Sequence, residues 1–214
     1  MEFDAFFFDL DGCLYPKSNG LMREVNHRLD LWIMKVLPQT DPEHVSDVRH
    51  DLFTRYGGTL PGLTIEHNSP YYESLRWVHD IPVENYVSEN PKLREVLMKL
   101  DVRKYIFTSS YRFYTVRVLR ALGILECFDG IIDACDVFPK PKPAQEAFLR
   151  AFEMTAERDI HRCVFFDDQP RNIEAGHAAG FYTVQVDQTN PRSANADEYI
   201  NLAEDLITIP AFRD

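Results

Sequence analysis

Two aspartates, Asp9 and Asp11, close the apolar run Phe6-Phe7-Phe8 and precede Gly12. In extended backbone, residues i and i+2 share a face, so both carboxylates can be aimed at one pocket, and Gly12 allows a tight exit turn. Neighbouring carboxylates repel each other in a dry site unless a cation lies between them. The pair fits a Mg2+ site in which one aspartate is a nucleophile. It also fits a polar strand end turned to water. A second acid pair, Asp167-Asp168, closes the run Cys163-Val164-Phe165-Phe166. One aspartate there would serve as a helix N-cap; two exceed what a cap needs. Three or four carboxylates delivered to strand ends match the few carboxylates, waters and substrate phosphate that Mg2+ prefers.

Thr108 closes a third run, Tyr105-Ile106-Phe107. Its hydroxyl, with the N–H groups of Ser109 and Ser110 opening a helix, suits phosphate oxygens. A helix cap explains the same residues. Lys142 lies in Pro139-Lys140-Pro141-Lys142-Pro143. Pro143 suits the first turn of the helix that follows, and a lysine just before that helix can neutralise a phosphate and a nucleophilic carboxylate. A solvated basic loop is the other reading, and Lys140 is a rival for the same task.

Such groups converge only if strands end together. Five short apolar runs, at 5–8, 105–107, 131–132, 163–166 and 182–186, read as buried strands. All but the last are continuous rather than alternating, as in a sheet covered on both faces. Helical spacing appears between them: Leu93, Val96, Leu97 and Leu100; Thr115, Val118, Leu119 and Leu122; Ala144, Ala147, Phe148, Ala151 and Phe152. The alternation predicts an α/β fold with a parallel sheet. It is interrupted once. Val25, Leu29, Trp32, Ile33 and Val36 form an amphipathic stripe that Pro38 ends. Asp41-Pro42-Glu43 starts a second helix, which Gly57-Gly58 breaks, and Tyr72, Leu75 and Val78 mark a third. About 70 residues of helix therefore leave from the C-terminal end of the first strand, the edge at which open parallel sheets bind ligands. The tail after Asp187 is polar, then offers one short helix near 197–206.

Composition excludes several classes. Apolar residues make up 45% and charged residues 27%, which excludes a disordered chain, a coiled coil or a collagen-like fibre. The formal charge of −11 argues against a nucleic-acid polymer as partner, while leaving room for a small anion. Four scattered cysteines, Cys13, Cys127, Cys135 and Cys163, form no CxxC pair and suit a reducing compartment. No run of ~20 apolar residues could span a bilayer, and the acidic start MEFDAFFFDLDG is unlike a signal peptide. The expectation is a cytoplasmic protein.

Taken in order, FFFDLDG, IFTSS, KPAQEAF and FFDDQPRNIEAG resemble the four motifs of the haloacid dehalogenase-like phosphatase superfamily. The resemblance covers residues 1–15 and about 90–187, and the helical insertion resembles the cap of one large branch. Within that branch the loop DGCLY, the stretch Tyr56-Gly57-Gly58-Thr59-Leu60-Pro61-Gly62-Leu63, and Arg171-Asn172-Ile173-Glu174 before Gly180 are similar to the pyrimidine 5′-nucleotidase group. Ser109 departs from that group, which often has Asn there. The resemblance implies a Rossmann-like core of residues 1–15 and 88–214 with a helical-bundle cap of residues 16–87, hinged near 15–18 and 87–91.

It also implies a mechanism. Asp9 attacks phosphorus and becomes an aspartyl-phosphate, while Asp11 protonates the leaving alkoxide and then deprotonates water. Mg2+ is held by Asp9, the Asp11 backbone carbonyl, Asp168, and Asp167 directly or through water. Thr108 and the Ser109 N–H hold phosphoryl oxygens, Lys142 supplies counter-charge, and Asn172 supports the ligands. Lys142 is preferred to Lys140 because KPAQEAF matches the family's lysine-to-helix run. The implied substrate is a small phosphorylated metabolite, a pyrimidine nucleoside monophosphate. A sugar-phosphate phosphatase or phosphomutase of the same superfamily is the alternative, and a catalytically silent binding module is the alternative of another class. A dehalogenase would not need Asp11 together with Asp167-Asp168. Tyr56, Tyr71, Tyr72, Trp77, His67 and His79 lie in the insertion, where they can touch a base or ribose or simply pack.

Overall fold

The computed structural model describes residues 3–186 and 189–212. Asp187 and Gln188, which open the polar tail, lie outside the described residues, as do the two residues at each end. A parallel sheet carries the five expected strands: β1 Ala5–Phe8, β2 Arg103–Phe107, β3 Gly130–Ile132, β4 Cys163–Asp167 and β5 Tyr182–Val186. The α/β, Rossmann-like core expected from the sequence is therefore the fold observed. With a sixth strand, β6 Glu198–Ile200, the order is β3-β2-β1-β4-β5-β6, all parallel. The chain passes from β1 outward through β2 to β3, then returns to the other side of β1 for β4. That reversal creates a crevice at the C-terminal ends of β1 and β4.

The phenylalanines of β1 explain why it is central. Phe6 and Phe8 face one side of the sheet and Phe7 the other, and all three are buried. The Phe8 ring stacks on Phe166 of β4 at 4.3 Å. Phe7 meets Phe181 edge-on at 5.3 Å on the opposite face. Helices α5 Pro91–Lys99, α6 Arg112–Leu122, α7 Gln145–Glu153 and α8 Pro170–Ala179 flank the sheet. The first three bury most of the stripes read from the sequence, for example Val118, Leu119 and Leu122 on α6.

Four helices lie between β1 and α5: α1 Leu21–Val36, α2 Val45–Tyr56, α3 Thr59–His67 and α4 Tyr71–Val78. The sequence reading gave three. It missed α3, whose Pro61 and Gly62 look like helix breakers. Pro61 falls in the first turn, where its missing N–H costs nothing. Gly62 is there because α3 presses on α2: a Cβ at that position would stand 2.9 Å from Leu52 and Tyr56 side-chain atoms. Trp32 is buried at the centre of the insertion and donates its indole N–H to Ser69 Oγ at 3.0 Å. One cluster of buried side chains runs from these helices into the core, so the insertion has no separate hydrophobic centre of its own.

The tail departs from the expectation of a helix near 197–206. Residues Glu198–Ile200 form the strand β6 instead, and the helical turns are 3-10, at Ala203–Thr208 and Pro210–Phe212. β6 pairs with β5, so β5 is not an edge. The polar residues of β5, Thr183 and Gln185, are fully buried and satisfied by the loop that follows the strand. Thr183 Oγ1 bonds Asp197 at 2.9 Å, and Gln185 bonds Pro191 O and Ser193 N.

Candidate active site

The ladder places the chemistry-bearing residues side by side. Phe8 is in register with Ile106 on β2 and Phe166 on β4. Asp9, Thr108 and Asp167 therefore emerge at neighbouring strand ends. Asp9, Asp167 and Asp168 each offer a carboxylate oxygen within 4.8 Å of the others, and all three are buried. Lys142 reaches into this group although it is far away in sequence. Its Nζ donates to Asp9 Oδ1 at 2.9 Å, Asp167 Oδ2 at 2.8 Å and Phe107 O at 2.9 Å. Lys140, the rival, is exposed beside Glu146 at 3.8 Å. Pro143 lies before α7 rather than in its first turn.

Each charge is set by its surroundings. Burial, opposed by Lys142, pushes Asp9 well above the ordinary carboxylate range, with the charges of Asp167 and Asp168 adding to the rise. Burial and the Asp167 charge raise Asp168 to about 6, against the pull of Lys17. Lys17, from the turn Lys17–Asn19 that follows β1, forms an ion pair with Asp168. For Lys142, burial disfavours the charge, but Asp167 and Asp9 together outweigh it and hold the ammonium protonated. Asn172 on α8 donates Nδ2 to both Asp167 oxygens at 3.0 Å. Its buried Oδ1 has no partner among the described residues. Three carboxylates and an unmatched carbonyl are the oxygen donors a hard divalent cation uses, so the residues fit Mg2+.

Thr108 is buried, and its Oγ1 accepts from the Ser110 N–H at 3.0 Å. That donor is therefore engaged, and α6 begins only at Arg112, whose N–H donates to Asp133 Oδ2 at 2.8 Å. Ser109 is exposed and lines the cavity described below. The Asp11 carboxylate is not in the acid cluster. It turns instead to Tyr15, Tyr114 and Ser110 Oγ, which all donate to it. The sequence reading gave none of these three hydroxyls a role; it named Ser110 only for its N–H. Tyr15 was visible four residues beyond Asp11; nothing in the sequence signals Tyr114, 103 residues away.

A cavity of about 810 Å3 separates the insertion from these strand ends. Asp9, Asp11 and Asp168 line its floor, and Arg49, Phe53, Tyr71 and His79 are among its other walls. Of the insertion aromatics singled out in the sequence, Tyr71 reaches it; its OH donates to Ala134 O at 3.1 Å, and its ring stacks on Phe138. Tyr56 instead donates to Glu66 at 2.6 Å, Trp77 packs on Trp32, and Tyr72 is exposed. His67 lies beside Glu66 at the surface, whereas His79 is buried and kept uncharged by burial. Arg171 ties core to insertion: its guanidinium donates to Phe53 O and Gly57 O and stacks on the Phe53 ring at 3.6 Å. Gly57 in turn sits so close to the Lys142 backbone that a Cβ there would stand 2.5 Å from the Lys142 carbonyl oxygen.

The chain is similar in sequence to two known proteins and in fold to solved structures. Phosphate metabolism protein 8 of Saccharomyces cerevisiae is 24% identical over 241 residues, covering 98% of this chain and 72% of the yeast protein. Validoxylamine A 7′-phosphate phosphatase of Streptomyces hygroscopicus subsp. limoneus is 28% identical over 130 residues, covering 61% of this chain and 60% of its own length. The magnesium-bound HAD-hydrolase YfnB of Bacillus subtilis superposes with a TM-score of 0.66 at 18% identity, over 98% of this chain and 99% of that one. The HAD phosphatase from Thermococcus onnurineus gives 0.61 at 20% identity, over 98% of each chain. The model of the haloacid dehalogenase-like hydrolases matches residues 3–180, a span that contains every strand-end acid, Thr108 and Lys142, and the chain belongs to that family of hydrolases.

Proposed function

We propose that this hydrolase is a Mg2+-dependent phosphomonoesterase acting through an aspartyl-phosphate on Asp9, with a pyrimidine nucleoside 5′-monophosphate as substrate. The observation that carries the reading is the convergence of three buried carboxylates, two of them bonded to Lys142, below a cavity large enough for a nucleoside. Asp9, Asp167 and Asp168, with the Asp11 backbone carbonyl, would hold Mg2+, whose charge offsets that of the phosphate and carboxylates. Asp9 attacks phosphorus and displaces the alkoxide, which takes a proton from Asp11. Asp11 then removes a proton from water, which attacks the acyl phosphate and frees Asp9. The Thr108 O–H, the Ser109 N–H and Lys142 hold the phosphoryl oxygens, as preorganised donors do. Residues 16–87 act as the cap and residues 1–15 with 88–214 as the core. The four cysteines are free thiols, in keeping with a cytoplasmic setting, and no described helix is long and apolar enough to cross a membrane.

Phosphate release from uridine and cytidine monophosphates, hexose phosphates and p-nitrophenyl phosphate tests this. Chelation of Mg2+ should cut every rate by about 100-fold or more, with recovery on re-addition. The pyrimidine nucleotides should lead the alkyl phosphates in kcat/KM. A lead for the hexose phosphates would favour the second reading, a sugar-phosphate phosphatase or phosphomutase. No release from any phosphoester would leave a binding module.

The same site predicts a pH dependence of metal binding. A carboxylate must be ionised to ligate a metal. Asp168 is raised to about 6, so the metal-free protein takes up its proton as pH falls through that value. Mg2+ affinity by titration calorimetry should therefore weaken about tenfold between about pH 7.5 and about pH 5. An affinity constant over that range would remove Asp168 from the ligands.

A further inference from the structure

The side chain of Asp11 is held more elaborately than its place in the motif requires. Tyr15 and Tyr114 both donate to Oδ1, Tyr114 at 2.9 Å, and Ser110 Oγ donates to Oδ2 at 2.5 Å. The three hydroxyls come from three places: the loop after β1, the loop after β2, and α6. Tyr15 and Tyr114 are almost fully buried, and their hydroxyl oxygens lie 3.2 Å apart. Packing alone would be served by those two hydroxyls bonding each other; besides that contact, both reach the same carboxylate oxygen. Burial first, then the Asp11 charge, keeps both phenols protonated and therefore donors. Tyr114 is braced in turn by the insertion, because the His79 ring packs on it at 4.9 Å while His79 Nδ1 bonds Leu75 O at 2.8 Å.

We propose that Tyr15 and Tyr114 are positioning residues for Asp11: their hydroxyls, with Ser110, fix its carboxylate on the side of the cavity away from the Asp9–Asp167–Asp168 cluster, where a leaving group can reach it. This rests on the phosphomonoesterase reading, in which Asp11 exchanges a proton with the leaving oxygen. An acid works only within hydrogen-bond reach of the atom it protonates, and its placement is set by the groups that lock its rotamer. The tyrosine hydroxyls bond the Asp11 side chain and each other, not the carboxylates of Asp9, Asp167 or Asp168, and so act through Asp11.

The test uses Tyr15→Phe, Tyr114→Phe and Asp11→Asn, alone and combined, on uridine 5′-monophosphate and p-nitrophenyl phosphate with Mg2+ present. An alkoxide needs the proton and a nitrophenolate does not. Each Tyr→Phe change should lower kcat on the nucleotide about tenfold, leaving its KM and the aryl phosphate rate within about twofold. Added to Asp11→Asn, Tyr114→Phe should cost nothing more, since a residue acting through Asp11 has nothing left to act on. Equal losses on both substrates, no loss, or losses that add in the Asp11→Asn background would overturn the proposal. If either tyrosine variant fails to fold, Ser110→Ala removes the third donor and is held to the same split and the same non-additivity. Asp11→Asn alone separates the two layers. If it harms both substrates equally, the acid role of Asp11 is wrong; if it is selective and the hydroxyl variants are not, only the positioning role is wrong.

Discussion

Asp9→Asn should abolish turnover, by on the order of 10^4-fold or more, in a protein that folds normally. The carboxamide matches the carboxylate in volume and keeps an oxygen to accept from Lys142 Nζ, now 2.9 Å from Asp9 Oδ1. It has no negative oxygen with which to form a bond to phosphorus. Nor should the fold suffer. Burial and the charges of Asp167 and Asp168 already work against ionised Asp9, with only Lys142 in its favour among the larger influences. A neutral residue relieves that repulsion, so the metal-free variant should melt no lower than the wild type and should bind inorganic phosphate at least as well. Circular dichroism, a thermal melt and phosphate titration check these points beside the assay. Near-wild-type activity in the purified variant would end the covalent mechanism through Asp9.

That the sequence located Asp9 at all has a physical reason. A short continuous apolar run such as Phe6-Phe7-Phe8, in a chain that alternates such runs with helical patterns, reads as a strand buried on both faces, and the acids that follow then lie at its end. The same logic placed Asp167 and Thr108. Lys142 was separable from Lys140 only through the family resemblance, because both sit between prolines; the fold separates them by burying one and exposing the other. Other features were hidden because their cause lies elsewhere in the chain. α3 contains Pro61 and Gly62, and only its packing on Leu52 and Tyr56 shows why glycine belongs there. β6 is three residues long, too short to show a period. The alternation of β5 suggests a half-exposed strand, yet Thr183 and Gln185 are buried because a later loop satisfies them. The hydroxyls around Asp11 are a long-range meeting that no local pattern encodes.

The charges of the site also have to balance. Three buried carboxylates face one another, and the cations closest to them are Lys142 and Lys17. Lys17 is partly open to solvent, whereas Lys142 is 2% exposed and lies between Asp9 and Asp167. Its ammonium also sits over the rings of Phe107 and Phe165 at 4.9 and 5.2 Å. Lys142→Met keeps much of the stem and removes the charge, which leaves Asp9 and Asp167 buried without their shared partner. Breaking a buried pair in this way costs about 3–5 kcal/mol, and in a chain of this size that lowers the metal-free melting temperature by about 10 °C. Asp9 would also hold its proton more tightly, so turnover should fall by about 10^3-fold or more, the nucleophile and a phosphate contact being lost together. Lys142→Arg should not restore activity, because a planar guanidinium does not fit where a compact ammonium bonds two carboxylates and a carbonyl between aromatic rings. Mg2+ should raise the melting temperature of Lys142→Met more than that of the wild type, since the cation replaces charge that the variant lacks. A metal-free variant as stable as the wild type would show that Lys142 does not hold the acids together.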